Sequence, residues 1–357
     1  MAGRQRRQRQ NLDLPEAAGI RLAAMNRSTA RLLLVLLALL LFPVRAPAPL
    51  IYRPGEGWSY EVPGGKENAW RKLRAKDQLQ TAQEAFDHKE YKLALKAAQR
   101  VVRVWPLSDY APKALFLMGR CYEARKKDEK AFAAYEQLVA KYPRIADSQE
   151  IQRRQFAIAV RFLHGEWVKL FGYIPFFPSM DKTAEMFDQI VKFGPYGEFG
   201  PTAQMNIGAA RDKQKDYPLA VKAYEVAADR YNEQPKIAAD AVFKEAQAYN
   251  KQARKADYDQ SIADKGIATY TLFLSLYPDD PRAAQAQKAI ASLKSEQARG
   301  NFRIAQYYEK NKRWEGAVVY YNAVLGIDAS SPLAEQALRR IEVLNPQRTQ
   351  NKSNDAK

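Results

Sequence analysis

Small, aromatic and polar positions recur along this chain with a spacing that predicts pairs of antiparallel helices. The clearest copy has Gly119 and Tyr122 three positions apart, then Ala131 and Tyr135, and finally Pro143. Small residues let two helices approach closely, and aromatic side chains fill the space beside them. Because a proline cannot continue a helix, Pro143 is expected to end the second one. This segment therefore predicts one helical hairpin.

Five further segments repeat the pattern, and two of them, the third and fifth copies, have a longer turn between their helices. The first small residues of the six copies are Ala82, Gly119, Ala159, Gly208, Ala246 and Ala305. Six copies in register resemble tetratricopeptide repeats, whose hairpins stack into a solenoid. The sequence predicts an all-α fold, a right-handed superhelix of about six hairpins with a C-terminal capping helix. Such a fold is expected to bind partners in a groove along the first helices of its hairpins.

The same pattern divides the chain into four segments. Residues 1–48 are predicted to be an N-terminal extension with a signal or anchor, and residues 49–67 an extended leader rich in proline and glycine. The repeats occupy residues 68–344. Residues 345–357 are polar and are expected to form a disordered tail.

An apolar run at residues 32–42 predicts export from the cytoplasm. It is too short for a membrane span, it has the length of a signal-peptide core, and Arg27 and Arg31 give it a positive flank. We expect a periplasmic protein whose signal is either cleaved or kept as a tether. Translation from Met1 and translation from Met25 both remain open. No cysteine stands directly after the apolar run, so we expect that the protein is not a lipoprotein.

Composition supplies little chemistry for catalysis. The formal net charge is +17, but past the N-terminus the basic residues are scattered along helices, which does not indicate a nucleic-acid partner. Attraction to anionic lipid or to an acidic partner is an alternative explanation of the charge. With two histidines and the single cysteine Cys121, we expect no catalytic residues, metal or cofactor. An enzyme, or an accessory domain of one, is the disfavoured alternative.

The C-terminal part of the chain contains motifs with a more specific resemblance. These are residues 257–261, the segment with Ile304, Ala305, Tyr307 and Tyr308 in an overlong first helix, and residues 331–338. Their order resembles the BamD-like outer-membrane protein assembly factors, most closely over residues 200–344. The resemblance implies a periplasmic adaptor, a monomer within a complex, that docks on the barrel-inserting subunit and helps receive unfolded barrel precursors. A general cell-envelope scaffold, for wall synthesis or division, is the alternative.

The repeat positions that usually face ligands define a candidate groove. They carry a mixture of apolar and basic side chains, which suits an extended peptide with an aromatic end. The candidate groove residues are Lys76, Phe86, Lys113, Phe116, Arg120, Arg299, Phe302 and Gln306.

The long turn of the third copy, residues 163–180, is a second candidate surface because it is rich in aromatic residues. It either covers a gap between repeats or contacts a partner or a membrane surface. Its candidate residues are Trp167, Phe171, Tyr173, Phe176 and Phe177.

Overall fold

The computed structural model describes residues 50–60, 70–144, 148–165, 168–170, 174–177, 179–254 and 260–355. Within these ranges, the side chains of residues 59–60, 168–170, 174–177 and 347–355 are not described. The predicted signal at residues 32–42 lies outside the described residues. Among the helices that the structure describes, none combines the length and apolar character needed to cross a bilayer.

The described residues form thirteen α-helices and four short strands. The helices are α1 Ala75–Asp87, α2 Tyr91–Val104, α3 Tyr110–Ala124, α4 Asp128–Lys141, α5 Ser148–Leu163, α6 Met180–Phe193, α7 Gly200–Lys213, α8 Tyr217–Arg230, α9 Pro235–Ala253, α10 Gln260–Leu276, α11 Ala283–Lys310, α12 Trp314–Ile327 and α13 Pro332–Asp355. Successive helices pack on one another, and α1 to α12 pair as six hairpins with α13 against the last. The predicted all-α repeat fold is confirmed.

A lysine in the left-handed conformation makes the turn within four of the hairpins. Lys89, Lys126, Lys215 and Lys312 have φ values of 63°, 52°, 63° and 56°. At each turn the lysine N–H donates to a carbonyl in the last turn of the first helix, as Lys126 does to the Glu123 oxygen at 2.8 Å. The next residue donates further back, which satisfies carbonyls that a helix end leaves open. These bonds hold lysine in a conformation that normally favours glycine.

Close contact between the two helices of a hairpin depends on the small residues of the repeat. A Cβ added at Gly119 would overlap the ring of Tyr135, and one added at Gly208 would overlap the ring of Tyr224. Both tyrosines are almost completely buried. The expected close approach of the paired helices is therefore present, and the aromatic ring of the second helix occupies the space that the glycine leaves.

The buried core of the described residues divides into five clusters along the chain. One cluster is built around α1 to α3, and the others follow in order to the one around α11 to α13. Each is formed mainly by consecutive helices, as a solenoid requires, because every repeat contacts only its neighbours.

The four short strands lie before the first helix and in the long turn of the third helical hairpin. Strands β1 Leu50–Arg53 and β2 Gly57–Tyr60 pair in the segment for which the sequence predicts an extended leader. Strands β3 Val168–Leu170 and β4 Ile174–Phe177 pair antiparallel inside the long turn of the third hairpin. At the other end, α13 continues through Pro346 to Asp355, where the sequence predicts a disordered tail.

Candidate partner-binding surfaces

The N-terminal part of the predicted groove contains an aromatic ring covered by a cation. The Arg120 guanidinium on α3 lies 4.5 Å from the centre of the Phe86 ring on α1. Lys76 and Lys113, on the same two helices, are exposed. Arginine over an aromatic face is a favourable cation–π contact. This pair joins the first helices of two successive repeats and leaves the lysines available to a ligand.

Repeat 2, formed by α3 and α4, places four side chains in contact with one another and with the next repeat. The Arg154 Nη1 of α5 lies 2.9 Å from the Glu123 Oε2, and its guanidinium lies 5.7 Å from the centre of the Phe116 ring. The Phe116 ring is 5.8 Å from the Tyr135 ring. Burial, and secondarily the adjacent Glu123, raise the pKa of Tyr135 far above its ordinary value. The tyrosine hydroxyl therefore stays protonated beside the ion pair.

Repeat 6, formed by α11 and α12, carries the same four residue types at the same sequence separations. The Tyr321 hydroxyl donates to the Glu309 Oε2 at 2.7 Å, and the Phe302 and Tyr321 rings are 5.3 Å apart. Arg340 of α13 forms an ion pair with Glu309. We call Phe116, Glu123, Tyr135 and Arg154 the repeat-2 tetrad, and Phe302, Glu309, Tyr321 and Arg340 the repeat-6 tetrad.

A cavity of about 790 Å³ opens at the repeat-6 tetrad, between α11, α12 and α13. We call it the C-terminal cavity. Its lining includes all four residues of that tetrad, and also Gln306, Trp314, Arg339 and Val343. Val343 is 51% exposed, so apolar surface remains accessible at this end of the helix stack. Aromatic rings beside arginine side chains suit an aromatic or extended segment of a partner.

The predicted groove residues fall into separate sets in the structure. Phe86 and Arg120 are in contact, Phe116 belongs to the repeat-2 tetrad, and Phe302 and Gln306 line the C-terminal cavity. Arg299 is exposed and pairs with Glu296 of its own helix, and it is not among the lining residues of that cavity.

The second predicted surface is largely outside the described part of the chain. Trp167, Phe171 and Tyr173 lie outside the described residues, while Phe176 and Phe177 lie in strand β4. The backbone of Phe177 is paired with that of Val168. The role of this loop remains a prediction.

Sequence reasoning missed Arg154 and Arg340, because each pairs with a glutamate on the preceding repeat. The recurrence of phenylalanine, glutamate, tyrosine and arginine at equal separations was the signal that could have identified them. It also missed a second cavity, of about 600 Å³, between α6, α7 and α8. That cavity is bordered by Tyr196, which is 79% exposed.

The titratable groups of the described residues show no arrangement suited to holding a metal ion. Cys121 is fully buried in α3, and burial raises the pKa of its thiol to about 11. A buried thiol with a raised pKa is a poor nucleophile and ligand at neutral pH.

Comparison with known proteins identifies the repeats and the family. A tetratricopeptide repeat model matches residues 113–144, which correspond to repeat 2. Similar solved structures include the C-terminal part of a repeat protein from Cytophaga hutchinsonii, with 16% identity over 74% of this chain and 88% of that chain and a TM-score of 0.31. A tetratricopeptide repeat protein from Parabacteroides merdae has 13% identity over 74% of this chain and 97% of that chain, with a TM-score of 0.30. No match was found among curated proteins.

A second family model, for YfiO, described as an outer membrane lipoprotein, matches residues 178–357. This range is half of the chain and contains α6 to α13 with the C-terminal cavity. The predicted resemblance to BamD-like proteins is confirmed. The repeat fold is typically a non-enzymatic module for protein interactions. The chain therefore belongs to the YfiO, or BamD, family of outer-membrane-associated proteins, and it is a tetratricopeptide-repeat adaptor.

Proposed function

We propose that this chain is a periplasmic adaptor of the outer-membrane protein assembly machinery. Its C-terminal repeats would dock on the barrel-inserting subunit, and its groove would help deliver unfolded β-barrel precursors. The observation that carries the proposal is the family match over α6 to α13, which includes every residue lining the C-terminal cavity.

The chemistry of the C-terminal cavity supports a docking role. Phe302 and Trp314 provide aromatic surface next to the buried Tyr321, and Arg339 adds a cation. Aromatic and arginine side chains are common at the energetic centres of protein interfaces. We propose that one apolar or aromatic side chain of the partner enters this cavity. Binding would be a reversible equilibrium without a covalent step, so the protein is proposed not to be an enzyme.

The N-terminal repeats offer a different surface for precursor segments. The Arg120 guanidinium lies over the Phe86 ring on this surface. Lys76 and Lys113 present exposed ammonium groups on the same helices. These cations suit acidic side chains of an unfolded chain, because exposed opposite charges increase the rate of encounter and make it salt-dependent.

Location in the periplasm is part of this proposal. It rests on the apolar run at residues 32–42 and on the outer-membrane association of the family. Cys121, the single cysteine in the sequence, is fully buried in a helix, where an attached lipid could not be accommodated. We therefore propose export by the N-terminal signal, without lipid modification of Cys121.

The proposal can be tested by capture from detergent-solubilised envelopes. The chain, expressed from Met25 with a C-terminal affinity tag, is expected to co-purify with the barrel-inserting subunit, identified by mass spectrometry. Enrichment of wall-synthesis or division proteins without that subunit would support the alternative scaffold and contradict the proposal.

A matched pair of variants makes the capture experiment specific to the cavity. Phe302→Ala removes a ring from the C-terminal cavity and is expected to reduce capture of the subunit about tenfold or more. Leu338→Ala is the control, because Leu338 is 49% exposed on α13 and is not among the lining residues. Equal capture by the two variants would contradict docking at the cavity.

A further inference from the structure

The turn between β1 and β2 is fixed against the first repeats by buried polar contacts. The Asp109 N–H donates to the Gly55 carbonyl oxygen at 2.9 Å. The carboxylate of Glu56 is 3.5 Å from Arg74, and Glu56 is only 2% exposed. Gly55 and Gly57 have φ values of 76° and 71°, a conformation that glycine adopts without strain. The turn is thus held at a defined place on the repeats.

Large apolar side chains nevertheless face solvent at this anchored turn. Tyr52 and Trp58 are 58% and 63% exposed, with their ring centres 5.3 Å apart. Leu107 is 85% exposed, and its carbonyl oxygen would lie 3.7 Å from a Cβ at Gly57. We call Tyr52, Trp58 and Leu107 the hairpin face. An exposed group of this kind usually marks a contact surface.

Arginines at the end of α2 precede Leu107 of the hairpin face. Arg103 is exposed in the last turn of that helix, which ends at Val104, and Leu107 follows in the turn before α3. The Arg100 guanidinium lies 5.4 Å from the centre of the ring of Trp105, two residues before Leu107. Burial, and then the positive charges of Arg71 and Arg103, lower the pKa of Arg100. Positive charge at this end of α2 favours an anionic partner.

These observations point to a membrane surface. Tryptophan and tyrosine are enriched at the membrane–water interface, where the ring body is apolar and the polar edge remains hydrated. Arginines near an anionic bilayer contribute favourable binding energy to its phosphates. The hairpin face also follows the apolar run at 32–42 in the sequence, with nine residues, 43–51, between that run and Tyr52.

We infer that the hairpin face and the adjacent arginines dock on the surface of an anionic phospholipid bilayer. Trp58, Tyr52 and Leu107 enter the headgroup region, and Arg103 contacts lipid phosphates. The repeats are thereby held in one orientation at the membrane. This inference is independent of the proposed assembly function, because it concerns strands β1 and β2 and helices α1 to α3. These elements lie outside the matched residues 178–357.

An environment-sensitive label can test the inference in the full chain. A Leu107→Cys variant is labelled with the fluorophore NBD and reconstituted in vesicles of phosphatidylethanolamine and phosphatidylglycerol. Cys121 is buried and its thiol pKa is about 11, so labelling at neutral pH is directed to the introduced cysteine. A Val319→Cys variant, labelled in the same way, is the control, because Val319 is 64% exposed on α12.

The expected result is a blue shift of the label at position 107, with quenching by brominated lipid, and neither effect at position 319. Arg103→Gln should lower the ratio of docked to undocked protein about fivefold on anionic vesicles. Arg153→Gln, a change of an exposed arginine on α5, should leave that ratio unchanged. In phosphatidylcholine vesicles the shift at position 107 should be weak.

Three results would overturn the inference. The first is an unshifted label at position 107 in anionic vesicles. The second is an equal shift at positions 107 and 319, which would indicate general adsorption. The third is a shift at 107 that depends on protein concentration without lipid, which would show that a second copy covers the hairpin face.

Discussion

Repeats 2 and 6 contain the same tetrad in two different surroundings. In repeat 2, Arg154 of the following helix pairs with Glu123 and also lies over the Phe116 ring. In repeat 6, Arg340 pairs with Glu309, and the space beside Phe302 forms part of the C-terminal cavity. Arg154 belongs to α5, which is followed by further repeats, whereas Arg340 belongs to the last helix described.

Under the proposed function, one local motif serves packing in repeat 2 and recognition in repeat 6. The ion pair between a repeat and the helix that follows it is common to both tetrads. Phe116 and Phe302 are both half-buried, and the side chains beside each ring differ with the following helix. A repeat motif in a sequence therefore predicts a contact between neighbouring helices more reliably than it predicts a binding site.

The largest expected effect concerns the small residue of each repeat. Gly119→Ala should reduce the free energy of unfolding by about 2–3 kcal/mol, because its Cβ would overlap the buried Tyr135 ring. Repeat 6 already has alanine at this position, Ala305. Urea denaturation monitored by circular dichroism measures the change.

The matched control for that substitution is Gly326→Ala. Gly326 lies in α12 and has open space where a Cβ would be, so alanine should stabilise the protein by up to about 1 kcal/mol. If Gly119→Ala were also stabilising, the close packing of glycine against tyrosine would not be required in repeat 2.

The next largest expected effect is on the pH dependence of stability, and it concerns Glu245, which has no arginine partner among the ion pairs described above. Glu123 and Glu309 each pair with arginine, whereas burial, and then Glu225 and Asp229, raise the pKa of Glu245 to about 7. A pKa above that of the unfolded chain stabilises the protein at low pH, and this contribution is lost as the pH rises through about 7. Glu245→Gln should therefore gain about 2 kcal/mol at pH 8 relative to wild type, and less at pH 5.

The measurement is urea denaturation of both proteins across this pH range. The difference between variant and wild type should grow as the pH rises from 5 to 8. A constant difference would show that Glu245 does not titrate in this window.

Replacing the two tetrad arginines should separate packing from recognition. Arg154→Met should cost about 1–2 kcal/mol of stability, because Arg154 is 30% exposed and contacts Glu123, Glu150 and Phe116. Arg340→Met should cost less than about 1 kcal/mol, because Arg340 is 44% exposed and solvent screens its ion pair. Equal losses in thermal or chemical denaturation would remove the distinction between the tetrads.

The smallest expected change in stability concerns the left-handed lysines in the turns of repeats 2 and 6. Lys126→Gly and Lys312→Gly should each stabilise the protein by about 0.5–1 kcal/mol, because both lysines have left-handed backbone conformations. Lys130→Gly, within α4, should instead destabilise it by about 1 kcal/mol, since glycine is a poor helix former. A loss of stability at Lys126 or Lys312 would contradict the assigned turn geometry.

Much of the fold could be predicted from the sequence because the repeat spacing reflects contacts within one hairpin. Gly119 and Tyr135 are in contact because they lie on the two helices of one hairpin, and the same holds for Gly208 and Tyr224. Left-handed turns at lysine were not predicted, because lysine carries no signal for that conformation. The bonds that hold Lys126 come from the surrounding backbone.

The candidate site was less predictable, because its geometry depends on neighbouring repeats. Phe116 and Phe302 occupy equivalent positions in the sequence, yet Arg154 lies over the Phe116 ring while Phe302 lines the C-terminal cavity. The surroundings of both rings include an arginine of the following helix, Arg154 or Arg340. Lys76 and Arg299 are predicted groove residues because of their repeat positions alone. Their role in binding a partner stays a prediction.

Photo-crosslinking in intact cells gives the most direct test of the C-terminal cavity as a docking site. A photoreactive amino acid would replace Gln306, which lines the cavity, or Lys113, which is exposed in repeat 2. We expect a crosslink to the barrel-inserting subunit from position 306 and none to that subunit from position 113. A crosslink to the subunit from position 113 alone, or from neither position, would contradict docking at the C-terminal cavity.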